Sequence, residues 1–369
     1  MGWFKRKNQE GTVRIRTHNV QSKPIPAELV SKLRASILFL GPLLSRFGVA
    51  EMAYPGGCTL GKRSVEAHLI TLQQLGAEDM STESVLHLQG DLKAGRVILP
   101  EFSVTATENI LLLASLHPGT ITIKTADQDY PIQELIIFLK RMGVKIRTSG
   151  LHVIEIEGAA KLKGASHTLM YDPIEAGTFI AMAAATKGDI LVKNVEAQFL
   201  ELFLKKLKGF GVPLEILSKK KNGLADVRVS PWSQLKMDKI QSFIYPGIHS
   251  DLQSVLGVLA TQAHGSTLLH DPLYEGRLKY LEELNKMGAE IYFTDPHRAI
   301  INGPTKLFGA DLGTFDLRGG AAVLIAALLA KGKSTINNIY QVDRGYERIE
   351  ERLQKLGAEV KRVTQEHTS

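Results

Sequence analysis

The sequence predicts an α/β fold built by repeating one unit of about 70 residues, each unit two helices and several short strands. Three observations predict it. An apolar residue followed by Gly recurs at Leu75-Gly76, Met142-Gly143, Phe210-Gly211, Met287-Gly288 and Leu356-Gly357, with Gly-to-Gly steps of 67, 68, 77 and 69 residues. Between these landmarks an Ala/Leu-rich stretch ending in Gly recurs, at Gly48, Gly119, Gly188, Gly265 and Gly332. Short alternating segments occupy the remainder. The period exceeds the roughly 20–50 residues of common solenoids. Asp172-Pro173 interrupts the pattern and divides the chain into domains of residues 1–171 and 172–369, about three units each.

Each element has its own reason. Gly at the first landmark reads as the residue just past a helix, where the chain needs a positive φ. The stretches Leu33 to Phe47, Thr105 to His117, Ile174 to Lys187, Leu252 to His264 and Arg318 to Lys331 are apolar nearly all round, which predicts buried helices. Thr12 to Arg16 and Leu151 to Ile156 alternate and read as strands. At the ends the pattern is cut. Met1-Gly2 sits where the other units have a last helical residue and its Gly, and the last unit stops with one strand, Val360 to Ser369. The expectation is that the front repeat is incomplete.

Composition removes several classes of function. The chain is 44% hydrophobic and 22% charged, so disorder is not its main state. Its longest apolar run, Ala321 to Ala330, is half the roughly 20 residues a membrane span needs. The charged N-terminus has no apolar region behind it and does not read as a secretory signal. Cys58 is the single cysteine, which suits a reducing cytoplasm. The eleven histidines lack metal-binding spacing, and neither metal nor cofactor is expected. A net charge of +7, dispersed, does not call for nucleic acid but favours small anionic substrates.

Five stretches could carry chemistry. In Tyr54-Pro55-Gly56-Gly57-Cys58-Thr59-Leu60-Gly61-Lys62-Arg63 a thiol sits in a glycine-rich loop beside two cations that would lower its pKa. The same stretch nearly matches a phosphate loop, but Arg63 stands where the metal-binding Ser or Thr belongs. Arg34 and Arg318 each open a buried helix, where a cation opposes the helix dipole unless it shares an anion with the helix N–H groups; pairing with a carboxylate such as Asp316 is the plainer alternative. Asp251 opens a third such helix, where an N-cap is the plainer reading. The run Val342 to Glu350 is charge-dense, and a solvated face is its default reading.

Together these motifs resemble the UDP-N-acetylglucosamine 1-carboxyvinyltransferase family, the enolpyruvyl transferases of peptidoglycan synthesis. The matching stretches are Leu33-Arg34-Ala35-Ser36 with Leu40-Gly41-Pro42-Leu43, Pro55-Gly56-Gly57-Cys58-Thr59, Ile174-Glu175-Ala176-Gly177-Thr178-Phe179 and Asp343-Arg344-Gly345-Tyr346-Glu347-Arg348-Ile349-Glu350. They span the chain from about Glu10 onward. The resemblance implies an inside-out α/β barrel of two similar domains, with phosphoenolpyruvate and UDP-N-acetylglucosamine bound in the cleft. It implies neither nucleic acid, nor membrane, nor an obligate protein partner.

Carried over by position, the resemblance makes Cys58 the acid that protonates the methylene carbon of phosphoenolpyruvate, and a target of the epoxide fosfomycin. Arg63, Arg318 and Arg344 would hold phosphate and carboxylate. Arg34 with Arg63, Ser64, Val65, Glu66 and Ala67 would line the nucleotide-sugar side, Ser103, Val104 and Thr105 the uridine, and Leu273 would touch the sugar nucleotide. Asp251 would take the proton of the sugar 3-hydroxyl. Three departures accompany the match. The family's Arg-Pro-Val-Asp-x-His is Arg63-Ser64-Val65-Glu66-Ala67-His68 here, an expected arginine is Pro173, and a Lys-Asn pair has no counterpart. From the last, the numbered chain is expected to be a shortened form with little activity. The related 3-phosphoshikimate 1-carboxyvinyltransferases, a non-catalytic nucleotide-sugar binder and a basic nucleic-acid binder are the rival readings.

Overall fold

A computed structural model describes residues 5–6, 11–17, 20–56, 64–220 and 223–363. The chain divides into two compact units, one of described residues up to His167 and one from Thr168 onward.

The repeat is explicit in the sheets. In the first unit Gly95–Ile98, Thr120–Lys124, Val153–Glu157 and Lys145–Ser149 form a four-stranded sheet in that order. Its first pair is parallel and the others antiparallel. In the second unit Lys239–Gln241, Gly265–His270, Arg298–Gly303 and Glu290–Asp295 repeat the same order and directions. A parallel pair needs a crossover, which the buried helices Val104–Ala114 and Ser250–Ala260 supply. The parallel pair Asp311–Gly313 and Thr335–Asn337 encloses the helix Leu317–Leu329 in the same way. The sheets Val49–Ala53, Val85–Gln89, Glu78–Asp79 and Ile190–Val195, Ala225–Val229, Leu214–Lys219 are antiparallel and three-stranded. A short ladder joins Lys5–Arg6 to Val13–Arg14.

The apolar helices lie inside, whereas Tyr130–Arg141 and Glu201–Gly209 each bury one face only. Within Pro173–Ala185, Ser250–Ala260 and Leu317–Leu329 almost every side chain is buried, because all three pack on one another at the centre of the second unit. In the first unit Val104–Ala114 holds the same place against Leu40–Phe47 and Glu66–Gln74. The core of that unit runs from Val30 through Leu88 and Ile110 to Ile156.

The first glycine landmark takes the conformation its position asks for: Gly76, Gly143, Gly211, Gly288 and Gly357 have φ between 93° and 101°. Three places depart from the sequence reading. Residues Arg34–Phe39 form a 3₁₀ turn ahead of the helix Leu40–Phe47, so Arg34 does not open an α-helix. At the 188 landmark the left-handed residue is Lys187, with φ 52°. Residues 358–363 form no strand; Arg362 ties this segment down instead, pairing with both carboxylate oxygens of Asp343 at 2.9 and 2.7 Å and with both of Glu350 at 2.9 Å.

Candidate active-site residues

The first unit assembles its candidates around a buried histidine. Arg34 Nη2 donates to the Ser64 carbonyl at 2.7 Å, and Ser64 Oγ accepts from the Glu66 N–H at 2.9 Å as the helix Glu66–Gln74 begins. The backbone is thus pinned just after the stretch that carries Cys58 and Arg63, both of which lie outside the described residues. Val65 and Ala67 are buried, Glu66 and Ser64 exposed. One residue further, His68 is 2% exposed. Asn109 Nδ2 sits 2.8 Å from His68 Nδ1 and must be the donor, so the ring's proton is on Nε2, facing Thr105 Oγ1 at 3.1 Å. Burial, with the Arg34 charge added, pushes the ring down to about 4. Ser103 caps the helix Val104–Ala114 through the Ala106 N–H. The stretch Ser64 to Ala67 and the turn Ser103 to Thr105 are thus linked through the contact of His68 with Thr105.

Neither His68 nor Glu108 stood out from sequence alone. The only signal for His68 was its place at the end of the Arg63–His68 stretch. Glu108, on the same helix as Thr105, is pushed up to about 7 by burial and then by the charge of Asp127.

The second unit builds an ion cluster at two helix starts. Asp251 is the second residue of Ser250–Ala260. It is not the cap: His249 Nδ1 accepts its N–H at 3.0 Å, leaving the carboxylate free to face outward from the helix start. There Arg277 Nη2 approaches Oδ1 at 2.8 Å and Arg318 Nε approaches Oδ2 at 3.1 Å. Burial favours the protonated acid, but Arg277, His249 and Arg318 together outweigh it and hold Asp251 below the usual carboxylate range.

Arg318 does pair with a carboxylate, as its plainer reading has it, but with Asp251 rather than Asp316; Asp316 serves the helix backbone. Its Oδ1 caps the helix Leu317–Leu329, accepting from the N–H groups of Arg318 and Gly319 at 2.9 and 3.0 Å. Arg318 is 7% exposed, and its Nη1 is buried without a hydrogen-bond partner among the described residues. Leu273, 38% exposed, follows Asp271, which accepts its N–H at 3.0 Å.

Arg344 is exposed, with Nη1 donating to Gln341 Oε1 at 3.1 Å. Its segment is nevertheless anchored. Tyr346 is 1% exposed, bonds Thr178 Oγ1 at 2.8 Å and lies with its ring 5.2 Å from the Arg318 guanidinium carbon. Arg352 pairs with Glu175 at 2.5 Å and covers Phe179. Two motifs distant in sequence, Ile174–Phe179 and Asp343–Glu350, are one packed contact.

A buried cation with an open N–H, beside an ionised carboxylate and at a helix start, is suited to binding an anion next to a base. The family comparison agrees with that chemistry. The model of the EPSP synthase (3-phosphoshikimate 1-carboxyvinyltransferase) family matches residues 1–353, and the chain belongs to this family of enolpyruvyl transferases. Among curated relatives it is 38% identical over 363 residues to the UDP-N-acetylglucosamine 1-carboxyvinyltransferase of Treponema denticola, covering 98% of this chain and 85% of that protein. It is 40% identical over 337 residues to the Halothermothrix orenii protein of the same name, covering 91% and 79%. The enolpyruvyl transferase NikO from Streptomyces tendae shares the fold, with a TM-score of 0.85 at 22% identity over 98% of this chain and 84% of that one. The relatives bear out the resemblance read from the motifs.

Proposed function

We propose that this chain transfers the enolpyruvyl group of phosphoenolpyruvate to the 3-hydroxyl of UDP-N-acetylglucosamine and releases phosphate, the first committed step toward peptidoglycan precursors. The observation that carries the proposal is Arg318, whose open Nη1 and bonded Nε join an anion position to Asp251. The names of the relatives supply the acceptor.

The reaction needs a base for the hydroxyl, an acid for the methylene carbon and a clamp on phosphate and carboxylate. In this reading Asp251 is the base and Cys58 the acid. Arg63, Arg318 and Arg344 are the clamp. Arg34, the stretch Ser64 to Ala67, the turn Ser103 to Thr105 and Leu273 hold the sugar nucleotide. The first domain, residues 1–171, then supplies mainly nucleotide-sugar contacts, and the second, 172–369, the base and most of the anion clamp. The one cysteine suits a cytoplasmic location, and no helix of the described residues is long and apolar enough to cross a membrane.

Phosphate release tests the proposal. With phosphoenolpyruvate and UDP-N-acetylglucosamine the chain should release phosphate; with shikimate 3-phosphate as acceptor it should not. Release with the shikimate acceptor alone would replace this reading by its nearest rival.

A further inference from the structure

One guanidinium bridges the two ends of the loop that carries Arg344. The loop runs from Asp343, last residue of the short helix Tyr340–Asp343, to Glu350, in the first turn of the helix Ile349–Lys355. After Gly357, with φ 93°, the backbone reverses, and Gln354 Nε2 donates to the Val360 carbonyl at 2.6 Å. This lays residues 358–362 back along the helix and brings Arg362 to Glu350, about one turn before Gln354. There all three nitrogens of Arg362 are used. Nη1 and Nη2 donate end-on to Asp343 Oδ2 and Oδ1 at 2.9 and 2.7 Å. Nε and Nη2 donate side-on to Glu350 Oε1 and Oε2 at 2.9 Å each. An isolated surface ion pair is weak. Two paired contacts on one planar guanidinium fix distance and angle as well as charge.

The loop is also held from inside. Tyr346 is buried and bonds Thr178. A Cβ at Gly345 would lie 2.9 Å from Leu317 Cδ2, so the loop presses on the start of the helix that carries Arg318. Arg348 has φ 48°, a left-handed conformation that a non-glycine residue keeps only where its surroundings impose it. Arg344 lies between the outer bridge and the inner anchor, one residue past Asp343.

We propose that Arg362 is a positioning residue for the anion clamp: by bridging Asp343 and Glu350 it presents Arg344 to phosphoenolpyruvate already in place. The inference rests on the enolpyruvyl-transfer reading, which makes Arg344 a contact of that anion. Arg362 acts through Arg344. Without the bridge, the end of one helix and the start of the next are no longer joined on the outer side. The anion must then order Arg344 as it binds, and affinity falls by that cost.

Phosphate release by the wild type, Arg362→Gln, Arg344→Ala and the double variant tests the proposal. Hydrogen exchange of the amides of residues 344–349 adds a readout independent of turnover. Arg362→Gln should raise KM for phosphoenolpyruvate by about fivefold or more and leave KM for UDP-N-acetylglucosamine within about twofold. Exchange at 344–349 should quicken while that of the helix Pro173–Ala185 stays as it was. In the Arg344→Ala background the same substitution should change KM for phosphoenolpyruvate by less than about twofold, because the group it positions is gone. Arg362→Lys should restore part of the affinity, since an ammonium keeps the charge but not the paired geometry. Equal effects in the two backgrounds, or equal rises in both KM values, would make Arg362 a tie for residues 358–362 alone and overturn the proposal. Unchanged exchange at 344–349 would overturn it as well. Should Arg362→Gln not fold, Glu350→Gln opens one side of the bridge and is read by the same criteria. If the wild type releases no phosphate with either acceptor, the transfer reading fails. Exchange in Arg362→Gln then still decides whether the bridge orders the loop.

Discussion

His68 carries a pH dependence whose sign is fixed by its burial. An unfolded histidine takes a proton near 6.5, whereas folded His68 resists until about 4. Between those values the unfolded chain binds the extra proton, so acid destabilises the fold, by on the order of 3 kcal/mol over the whole interval. Glu108 works in the opposite sense. Folded, it holds a proton up to about 7 that the unfolded chain releases near 4.5, so stability falls as pH rises through that window. The two effects overlap, and only a difference isolates His68. Thermal unfolding of wild type and His68→Gln should show the wild-type advantage shrinking from pH 7.5 to pH 4.5. A constant gap would mean that His68 titrates as an ordinary histidine. The two arginines on the proposed anion separate by environment as well. Arg344→Ala removes an exposed side chain and should change stability by no more than about 0.5 kcal/mol, while weakening phosphoenolpyruvate binding. Arg318→Ala removes a buried partner of Asp251. It should weaken phosphoenolpyruvate binding by about 2 kcal/mol or more and lower the melting temperature too. Sequence anticipates part of this difference, since Arg318 opens an apolar helix read as buried whereas the run Val342 to Glu350 reads as a solvated face. Calorimetric binding and unfolding of the two variants decide it; equal melting losses would place Arg344 in the fold rather than at the anion.

At the scale of elements, the repeat was legible because its marks are local. A Gly past a helix end needs only its own φ, and Gly76 through Gly357 obey it. Apolar runs name the buried helices for the same reason. What sequence could not display is pairing between distant elements. The 3₁₀ turn Arg34–Phe39 is held by Asn109, whose Nδ2 donates to the Ile37 carbonyl at 2.9 Å and whose Oδ1 accepts the Gly41 N–H at 2.9 Å. Periodicity carries no trace of an asparagine 68 residues away. That contact also explains Gly41 within Leu40-Gly41-Pro42-Leu43. A Cβ there would lie 2.3 Å from the Asn109 carbonyl oxygen, a backbone atom that cannot swing aside. Gly41→Ala should therefore cost about 1–3 kcal/mol, read as a shift in denaturant midpoint. It should also disturb the Asn109–His68 contact, visible as an altered His68 imidazole shift. Loss below about 0.5 kcal/mol would show that the two helices can part without penalty.

For the whole molecule, the question is which acceptor the assembled residues select. The fold cannot answer, since NikO shares it at 22% identity. Residue types can. The turn Ser103–Thr105 and the Arg34–Ser64 tether lie beside a neutral, buried His68. Shikimate 3-phosphate carries its charge on a compact ring, whereas a nucleotide sugar spreads uridine, diphosphate and hexose over a longer surface. Under the proposed function, Arg34 and the turn Ser103 to Thr105 contact the nucleotide part, which only the longer ligand has. A ligand that binds only the folded chain raises its stability by about 2.7 kcal/mol at a hundredfold excess over its dissociation constant. Millimolar UDP-N-acetylglucosamine should accordingly raise the melting temperature by several degrees. Ser103→Ala and Thr105→Val should each reduce that rise, measured from each variant's own ligand-free melting temperature because Ser103 Oγ also caps the Ala106 N–H and Thr105 Oγ1 also contacts His68. Shikimate 3-phosphate should leave the melting temperature where buffer phosphate of equal charge leaves it. Equal shifts from both compounds would mean that the chain reads only phosphate. A shift from the shikimate compound alone would transfer the acceptor assignment to the phosphoshikimate branch of the family, with Arg34 and the Ser103 turn then serving the fold rather than the ligand.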